Sequence, residues 1–193
     1  MNGAKSPEFD PKRPVASAAA VLRAIFFGPR SFYLNFDPEG PLREPTMFVV
    51  LVSAVSGVLS VVANSIAMAF GADADLLGVV ALNLAFVALS PVLVGAAAGA
   101  YQLSVRGFVR SGVSFREVYR MLAYAYGTMI LFWAPVVNAL AFTYAAMILM
   151  GLGIQSLYRT SFLTTLVTTL VGFVPTAIAF IYLLGAASNL VSG

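Results

Sequence analysis

The sequence predicts an all-α protein, a polytopic transmembrane helix bundle with five spans, a cytoplasmic N-terminus and an external C-terminus. Of the 193 residues, 60% are hydrophobic and only 10% are charged, whereas a soluble domain has about 25% charged residues. The apolar residues form long runs without charge. All eleven Lys and Arg residues lie between or before these runs, and the predicted spans place them on one side of the membrane.

Four runs of the chain contain no charged residue: 45–72, 76–105, 121–158 and 160–193. About 20 apolar residues cross the hydrocarbon core as a helix. The first, second and fourth runs therefore each hold one span, at about 46–70, 77–102 and 162–186. The third run is too long for one span, and it holds two only if the first of them begins before the run.

The residues just before the third run provide that beginning. Ser114 and Glu117 have the spacing of a capping box, in which each side chain bonds the other residue's backbone amide. A helix that begins there crosses to Trp133, a residue type that favours the interface. Pro135 then turns the chain, because proline lacks an amide donor. The predicted spans are 116–133 and 136–154.

Loop charge sets the predicted orientation. The basic residues precede span 1, flank the loop between spans 2 and 3, or lie between spans 4 and 5, whereas the other side carries only Asp73 and Asp75. The positive-inside rule places the basic side in the cytoplasm. A different number of spans would put basic residues on both sides, so the charge pattern independently favours five.

The region before span 1 divides into two parts. Residues 1–14 contain three prolines among charged residues, which predicts a disordered tail. Residues 15–45 are predicted to form a cytoplasmic interfacial segment: an amphipathic helix over 15–27 that ends at Gly28-Pro29, then an aromatic-rich stretch. Residues 46–193 are the predicted transmembrane domain.

The composition excludes several kinds of chemistry. The chain has no Cys and no His, which excludes thiol nucleophiles, disulfides and His-based acid–base pairs. No ionisable residue is predicted in the middle of a span, where proton pumps and ion-coupled carriers generally need one. We therefore expect neither an enzyme nor a cofactor or metal site.

Weaker polar patterns lie inside the predicted spans. A face of span 1 carries Ser53, Ser60 and Asn64, and a face of span 5 carries Thr165, Thr168 and Thr176. These stripes either bond neighbouring helices or line a polar cleft for a lipid headgroup or a small solute. The residues predicted to serve helix packing are Gly57, Gly95, Gly99 and Gly172.

The cytoplasmic face is the other candidate site. Its candidate contacts for a partner or for lipid stand at the entries to spans 1 and 3, and they are Arg43, Glu44, Arg116, Glu117 and Arg120. Basic residues there bind anionic lipid, and the mixed charges also suit a docking surface for a protein.

The chain resembles the Yip1 family of small membrane proteins over most of residues 26–186. The residues that carry the resemblance are Gly28-Pro-Arg-Ser-Phe32, Glu44-Pro-Thr-Met-Phe48, the stretch 115–126, Trp133-Ala-Pro135 and Gly151-Leu-Gly-Ile-Gln155. The resemblance implies a non-catalytic protein with five spans and a cytoplasmic N-terminus. Eukaryotic members engage small prenylated GTPases, but this chain has a short tail and only Glu39-Gly-Pro-Leu42 where those members carry Asp-Leu-Tyr-Gly-Pro.

The leading hypothesis is an integral membrane scaffold or adaptor that binds proteins or lipids through its cytoplasmic face. The alternative is a permease or a lipid-translocating protein that uses the polar stripes of spans 1 and 5. The expected partners are membrane lipids and a protein at the cytoplasmic face, with no nucleic acid, and the sequence leaves a homo-oligomer open. A prokaryotic chain of this kind would reside in the plasma membrane.

Overall fold

The fold is a bundle of helices joined by short connections. A computed structural model describes residues 5–73, 75–135 and 137–192, and these residues contain no β-strand. The α-helices are α1 (Pro14–Phe27), α2 (Pro29–Leu34), α3 (Arg43–Ala69), α4 (Leu76–Phe108), α5 (Phe115–Ala125), α6 (Asn138–Thr143), α7 (Met150–Tyr158) and α8 (Phe162–Ser192). A 3₁₀ helix, Tyr126–Leu131, continues α5, and a π-helical segment, Tyr144–Leu149, joins α6 to α7.

Four helical segments of the described chain are long and apolar enough to cross a membrane. They are Arg43–Ala69, Leu76–Phe108, the continuous segment Asn138–Tyr158, and Phe162–Tyr182. Each exceeds the requirement of about 20 residues. Large apolar side chains such as Val58, Leu103 and Ile181 are exposed on these helices, as expected for a surface that faces lipid. The chain is therefore an all-helical protein of the membrane type.

The segment predicted as the third span has a different character. It consists of α5, with 11 residues, and the 3₁₀ helix, with 6 residues. The change of helix type occurs where the chain packs closely against its neighbours. A Cβ atom on Gly127 would lie 3.0 Å from Leu22 and 3.1 Å from Phe48. The 3₁₀ helix is wound more tightly than an α-helix, which fits this crowded position.

The segment before α3 packs on the bundle. Helix α1 covers nearly the predicted range, and its residues Val21 and Ile25 are buried against protein. Its residue Phe27 is 86% exposed. From α2, the hydroxyl of Tyr33 donates to the carbonyl oxygen of Met121 at 3.2 Å, and burial raises the pKa of this hydroxyl.

The tail predicted to be disordered makes specific contacts over residues 5–13; residues 1–4 lie outside the described residues. The backbone amide of Ser6 donates to the carbonyl of Asn35 at 3.2 Å. Phe9 is only 3% exposed, and its ring lies 5.9 Å from that of Phe48. Three prolines and several charges suggested too little apolar area for folding, but one phenylalanine in an aromatic pocket supplies a buried anchor.

The connections define two ends of the bundle. The basic end is where α3, α5 and α8 begin and where α4 and α7 end. The far end is where α3 ends and α4 begins. At the basic end, Arg159 turns the chain from α7 into α8 with a left-handed backbone conformation, φ 50°. Such a conformation commonly ends a helix.

Candidate functional site at the basic end

Arg120 occupies the centre of the basic end and is completely buried. Its Nε donates to the carbonyl oxygen of Asp37 at 3.0 Å, and its Nη1 donates to the carbonyl oxygen of Pro41. Its Nη2 lies 3.0 Å from a carboxylate oxygen of Glu8, but the two groups are not aligned for a hydrogen bond. The guanidinium therefore joins α5 to two segments that are distant in sequence.

Aromatic rings complete the surroundings of this arginine. The guanidinium carbon lies 5.6 Å from the ring centroid of Phe36 and 6.0 Å from that of Tyr124. Tyr124 also contacts the rings of Phe32 and Phe48, with centroids 5.8 Å and 5.5 Å away. A cation over an aromatic face is stabilised by the ring quadrupole, more so when water is excluded.

A buried charge of this kind holds its surroundings in place. Burying an ion costs several kcal/mol unless partners compensate it, and removing one partner leaves the other uncompensated. Arginine keeps its charge at any physiological pH. Arg120 is thus a permanent anchor for residues 5–13 and for the 37–41 turn. Together, residues 5–42 form what we call the cap of the basic end.

Gly40 lies where the cap meets the arginine most closely. A Cβ atom added there would lie 2.5 Å from Nη2, 2.6 Å from Cζ and 2.7 Å from Nη1 of Arg120. Atoms do not approach so closely without displacement. The absence of a side chain at this position therefore lets the guanidinium lie against the cap backbone.

The five residues predicted as cytoplasmic-face contacts separate into exposed and structural ones. Arg43 and Arg116 are exposed, and Glu44 is half-buried. Glu117 is half-buried and forms the predicted capping box with Ser114, which is confirmed. Its other carboxylate oxygen accepts a hydrogen bond from the hydroxyl of Tyr158 at 3.0 Å.

Within the described residues, Arg120 and Glu8 form the only salt bridge. The side chain of Arg120 cannot meet a partner unless the cap moves. The other ten Lys and Arg residues are exposed. The surface that a partner would meet therefore carries more basic than acidic side chains, held on an ordered cap and on helix ends, with Asp10 and Glu39 exposed among them.

The polar stripe of α3 faces neighbouring helices. Ser53 shares a hydrogen bond with the hydroxyl of Tyr126 at 2.8 Å. The Nδ2 of Asn83 donates to the Oγ of Ser60 at 3.4 Å, and the Nδ2 of Asn64 donates to the carbonyl of Ser60 at 2.8 Å. The bonds of Ser53 and Ser60 are helix-packing contacts of the kind found in membrane bundles, whereas the bond of Asn64 stays within α3.

The stripe of α8 is largely enclosed. The hydroxyl of Thr165 bonds that of Thr160 at 2.7 Å, and the hydroxyl of Thr176 donates to the carbonyl of Gly172 at 2.9 Å. Thr168 is fully buried, and its hydroxyl has no hydrogen-bond partner among the described residues. No hydrogen bond among the described residues joins the stripe of α3 to that of α8, although Thr176 lines a cavity that adjoins one lined by Ser60 and Asn64.

The four glycines predicted to serve packing differ in their surroundings. A Cβ on Gly172 would lie 2.4 Å from the ring of Tyr101, and one on Gly57 would lie 3.3 Å from Asn83. A Cβ on Gly95 would make an ordinary contact with Tyr119 at 3.9 Å, and one on Gly99 would meet nothing within 4 Å. Close helix approach is therefore seen at Gly172 and Gly57.

Sequence reasoning did not find Glu8, Phe9 or Gly40 as parts of this site. Their roles depend on Arg120, which is more than 75 positions away along the chain from the cap turn. One signal was present: Pro7-Glu8-Phe9 places an acid beside an aromatic residue in an otherwise polar tail. In the comparisons with known proteins, no family model matches the chain, and no curated protein or solved structure matches it.

Proposed function

We propose that the chain is a non-catalytic membrane scaffold that crosses the membrane five times and binds an acidic protein surface at its cytoplasmic basic end. The observation that carries the proposal is the ordered cap. Residues 5–42 are held on the bundle by the buried Arg120, and the remaining basic side chains point outward. A flexible polybasic tail would suffice to bind anionic lipid. A rigid surface with basic side chains in fixed positions instead suits a protein partner of complementary charge.

Support for a fifth crossing comes from the two ends of the segment 115–131. Near its start, Glu117 bonds Tyr158 at the end of α7, on the basic end. Just after it, the ring of Phe132 stacks on that of Phe86, with centroids 5.7 Å apart. Trp133 shares a cavity with Asn64 and Val79, near the far end. The segment is about 28 Å long by helix rise, close to the hydrocarbon thickness.

The topology has a direct test because the chain contains no Cys. Positions 134 and 161 lie on opposite sides of the membrane if 115–131 crosses it, and each changes side if 115–131 does not cross. Ala134→Cys and Ser161→Cys therefore distinguish five crossings from four. With five crossings and a cytoplasmic N-terminus, Ala134→Cys reacts with an impermeant maleimide from outside, and Ser161→Cys reacts only after permeabilisation. Ala72→Cys is the control that reacts from outside in both. The reverse pattern for the first two variants would exclude a crossing by 115–131.

Binding at the basic end is tested by photo-crosslinking in native membranes. A photoreactive amino acid at Arg116 or at Arg30 should capture a discrete protein, and Leu103, which is 71% exposed on the lipid-facing side of α4, is the control position. In the protein probed at Arg30, Arg43→Glu with Arg116→Glu should abolish the protein adduct while the protein remains folded. Adducts of lipid alone at both Arg116 and Arg30 would contradict the proposal and favour anionic-lipid binding.

The permease alternative has less support. The aromatic cluster of Phe9, Phe48 and Tyr124 fills the basic end beneath the cap. The α3 stripe bonds Tyr126 and Asn83, whereas the side-chain hydrogen bonds of the α8 stripe stay within α8 and the turn before it. Transport would require the cap to leave and the stripes to change partners. The resemblance to the Yip1 family agrees with the scaffold hypothesis and remains a resemblance.

A further inference from the structure

Two adjoining cavities lie between the helices away from the basic end. The first, of about 350 Å³, is lined almost entirely by apolar side chains, small ones such as Ala97, Ala100 and Ala145 together with larger ones such as Phe142. The second, of about 340 Å³, is lined by Ser56, Ser60, Asn64 and Asn83 as well as by apolar residues. Phe86, Leu93 and Phe180 line both. Ligand sites begin at about 300 Å³, so each cavity is large enough to hold part of a small molecule.

The second cavity offers hydrogen-bonding groups that the protein leaves unused. The amide nitrogens of Asn64 and Asn83 donate to groups of the protein, but their amide oxygens accept no hydrogen bond from the described residues. Ser56 is only 5% exposed, and its hydroxyl has no hydrogen-bond partner in the described part of the chain. Unmade hydrogen bonds in apolar surroundings are costly, and a donor from a ligand would satisfy them.

The lining also excludes a charged ligand. Neither cavity is lined by a charged residue, and an ion without a partner is strongly disfavoured in such surroundings. A void in the first cavity forfeits dispersion contacts that a hydrocarbon chain would restore. One end thus suits an alkyl chain, and the other suits an uncharged head group that donates hydrogen bonds.

We propose that the joined cavities bind a single-chain amphiphile with an uncharged, hydroxyl-bearing head group, such as a monoacylglycerol. The chain would occupy the Ala-lined cavity, and the hydroxyl groups would donate to the oxygens of Asn64 and Asn83 beside Ser56. This site is separate from the basic end, so it stands or falls independently of the scaffold function.

The test uses the full chain in lipid nanodiscs with monoolein that carries a diazirine in its alkyl chain. Light should attach the probe to peptides of α4 and of Asn138–Tyr158. Unlabelled monoolein should compete about tenfold better than methyl oleate, which has the same chain but no hydroxyl group to donate to the oxygens of Asn64 and Asn83. Equal competition by the two would overturn the proposal.

Substitutions in the cavity and on the outer surface of α4 show where the photoreactive monoolein binds. Ala97→Phe fills the first cavity and should lower labelling at least about fivefold, whereas Val92→Phe, on a position 66% exposed on the same helix, should leave labelling unchanged. Asn64→Leu with Ser56→Ala should remove the preference for monoolein over methyl oleate. Equal labelling of the Ala97→Phe and Val92→Phe proteins would show lipid bound only on the outer surface and would sink the idea. The competition on the unmodified protein decides the matter even if Ala97→Phe does not fold.

Discussion

At the basic end, aromatic rings and cap segments pack around one arginine, whereas the middle and far half of the bundle enclose cavities between the helices. Arg120, Tyr33 and Tyr124 are among the largest side chains that are fully buried, and all three lie near the basic end. Around the cavities, alanine, serine and asparagine share the lining with large side chains such as Phe86, Leu93 and Phe180, and free volume remains between them. The basic end is filled by the protein's own side chains, whereas the middle and far half of the bundle contain unfilled volume between the helices.

The difference indicates a division of labour. Close packing over long-range contacts gives a single, rigid arrangement, which suits a surface that another protein must recognise. Helices that enclose room between them can admit a ligand or adjust to one. Substitutions in the closely packed basic end should therefore cost more stability than comparable substitutions beside the cavities.

Replacing the buried arginine should have the largest effect on stability. Arg120→Ala leaves the carboxylate of Glu8 without its counter-ion and the carbonyls of Asp37 and Pro41 without their donor, and breaking a buried pair costs about 3–5 kcal/mol. Arg116→Ala, on the exposed side of the same helix, should change the free energy of unfolding by less than about 0.5 kcal/mol. Unfolding in detergent, followed by circular dichroism, measures both. Equal effects of the two variants would show that Arg120 is not the anchor described here.

The membrane character of the chain could be predicted from the sequence because apolar runs and loop charges act locally. Helices α3, α4 and α8 begin within three residues of the predicted spans, although α4 and α8 each continue six residues further. The capping box at Ser114 follows from two residues three positions apart. Such features depend on the geometry of the α-helix and on the thickness of the bilayer, and neither depends on the tertiary structure of this protein.

The interior of the site could not be predicted in the same way. Arg120 was expected to face a partner because charged residues at a span entry usually face water. Its burial depends on Glu8, on the 37–41 turn and on two aromatic rings, which no periodicity connects. Likewise, the bonds of Ser60 to Asn83 and of Ser53 to Tyr126 depend on the way that the helices face each other.

Replacing an alanine by leucine should affect stability differently in the two parts of the bundle. Ala123 in α5 is fully buried, so Ala123→Leu should overpack its surroundings and cost about 1–3 kcal/mol. Ala97→Leu, in the wall of the apolar cavity, has free volume to enter and should change stability by less than about 1 kcal/mol. Thermal unfolding of the two variants in the same detergent gives the comparison. If Ala97→Leu were the more damaging, the cavity would not be free space.

The tail contact should have an intermediate effect that is local. Phe9→Ala removes the ring that packs on Phe48, and burial of a phenylalanine side chain contributes about 2 kcal/mol. Because the tail can detach while the bundle stays folded, the main readout is limited proteolysis of residues 5–13, which should become faster. Phe27→Ala, at a position 86% exposed, is the matched control and should leave the cleavage rate unchanged. Unaltered cleavage of the Phe9→Ala protein would contradict the packing of the tail.

Gly40 provides the smallest but most specific test. A Cβ there would lie 2.5 Å from Nη2 of Arg120, and the guanidinium is fixed by two carbonyls and Glu8, so Gly40→Ala should cost about 1 kcal/mol through a forced shift of a buried group. In an Arg120→Ala background the same substitution meets no guanidinium and should cost nothing further, which makes the two changes non-additive. Gly107→Ala, with nothing within 4 Å of the added atom, controls for the change of glycine to alanine as such. An equal cost of Gly40→Ala in both backgrounds would show that the glycine serves the turn itself, and that the close approach to Arg120 does not constrain this position.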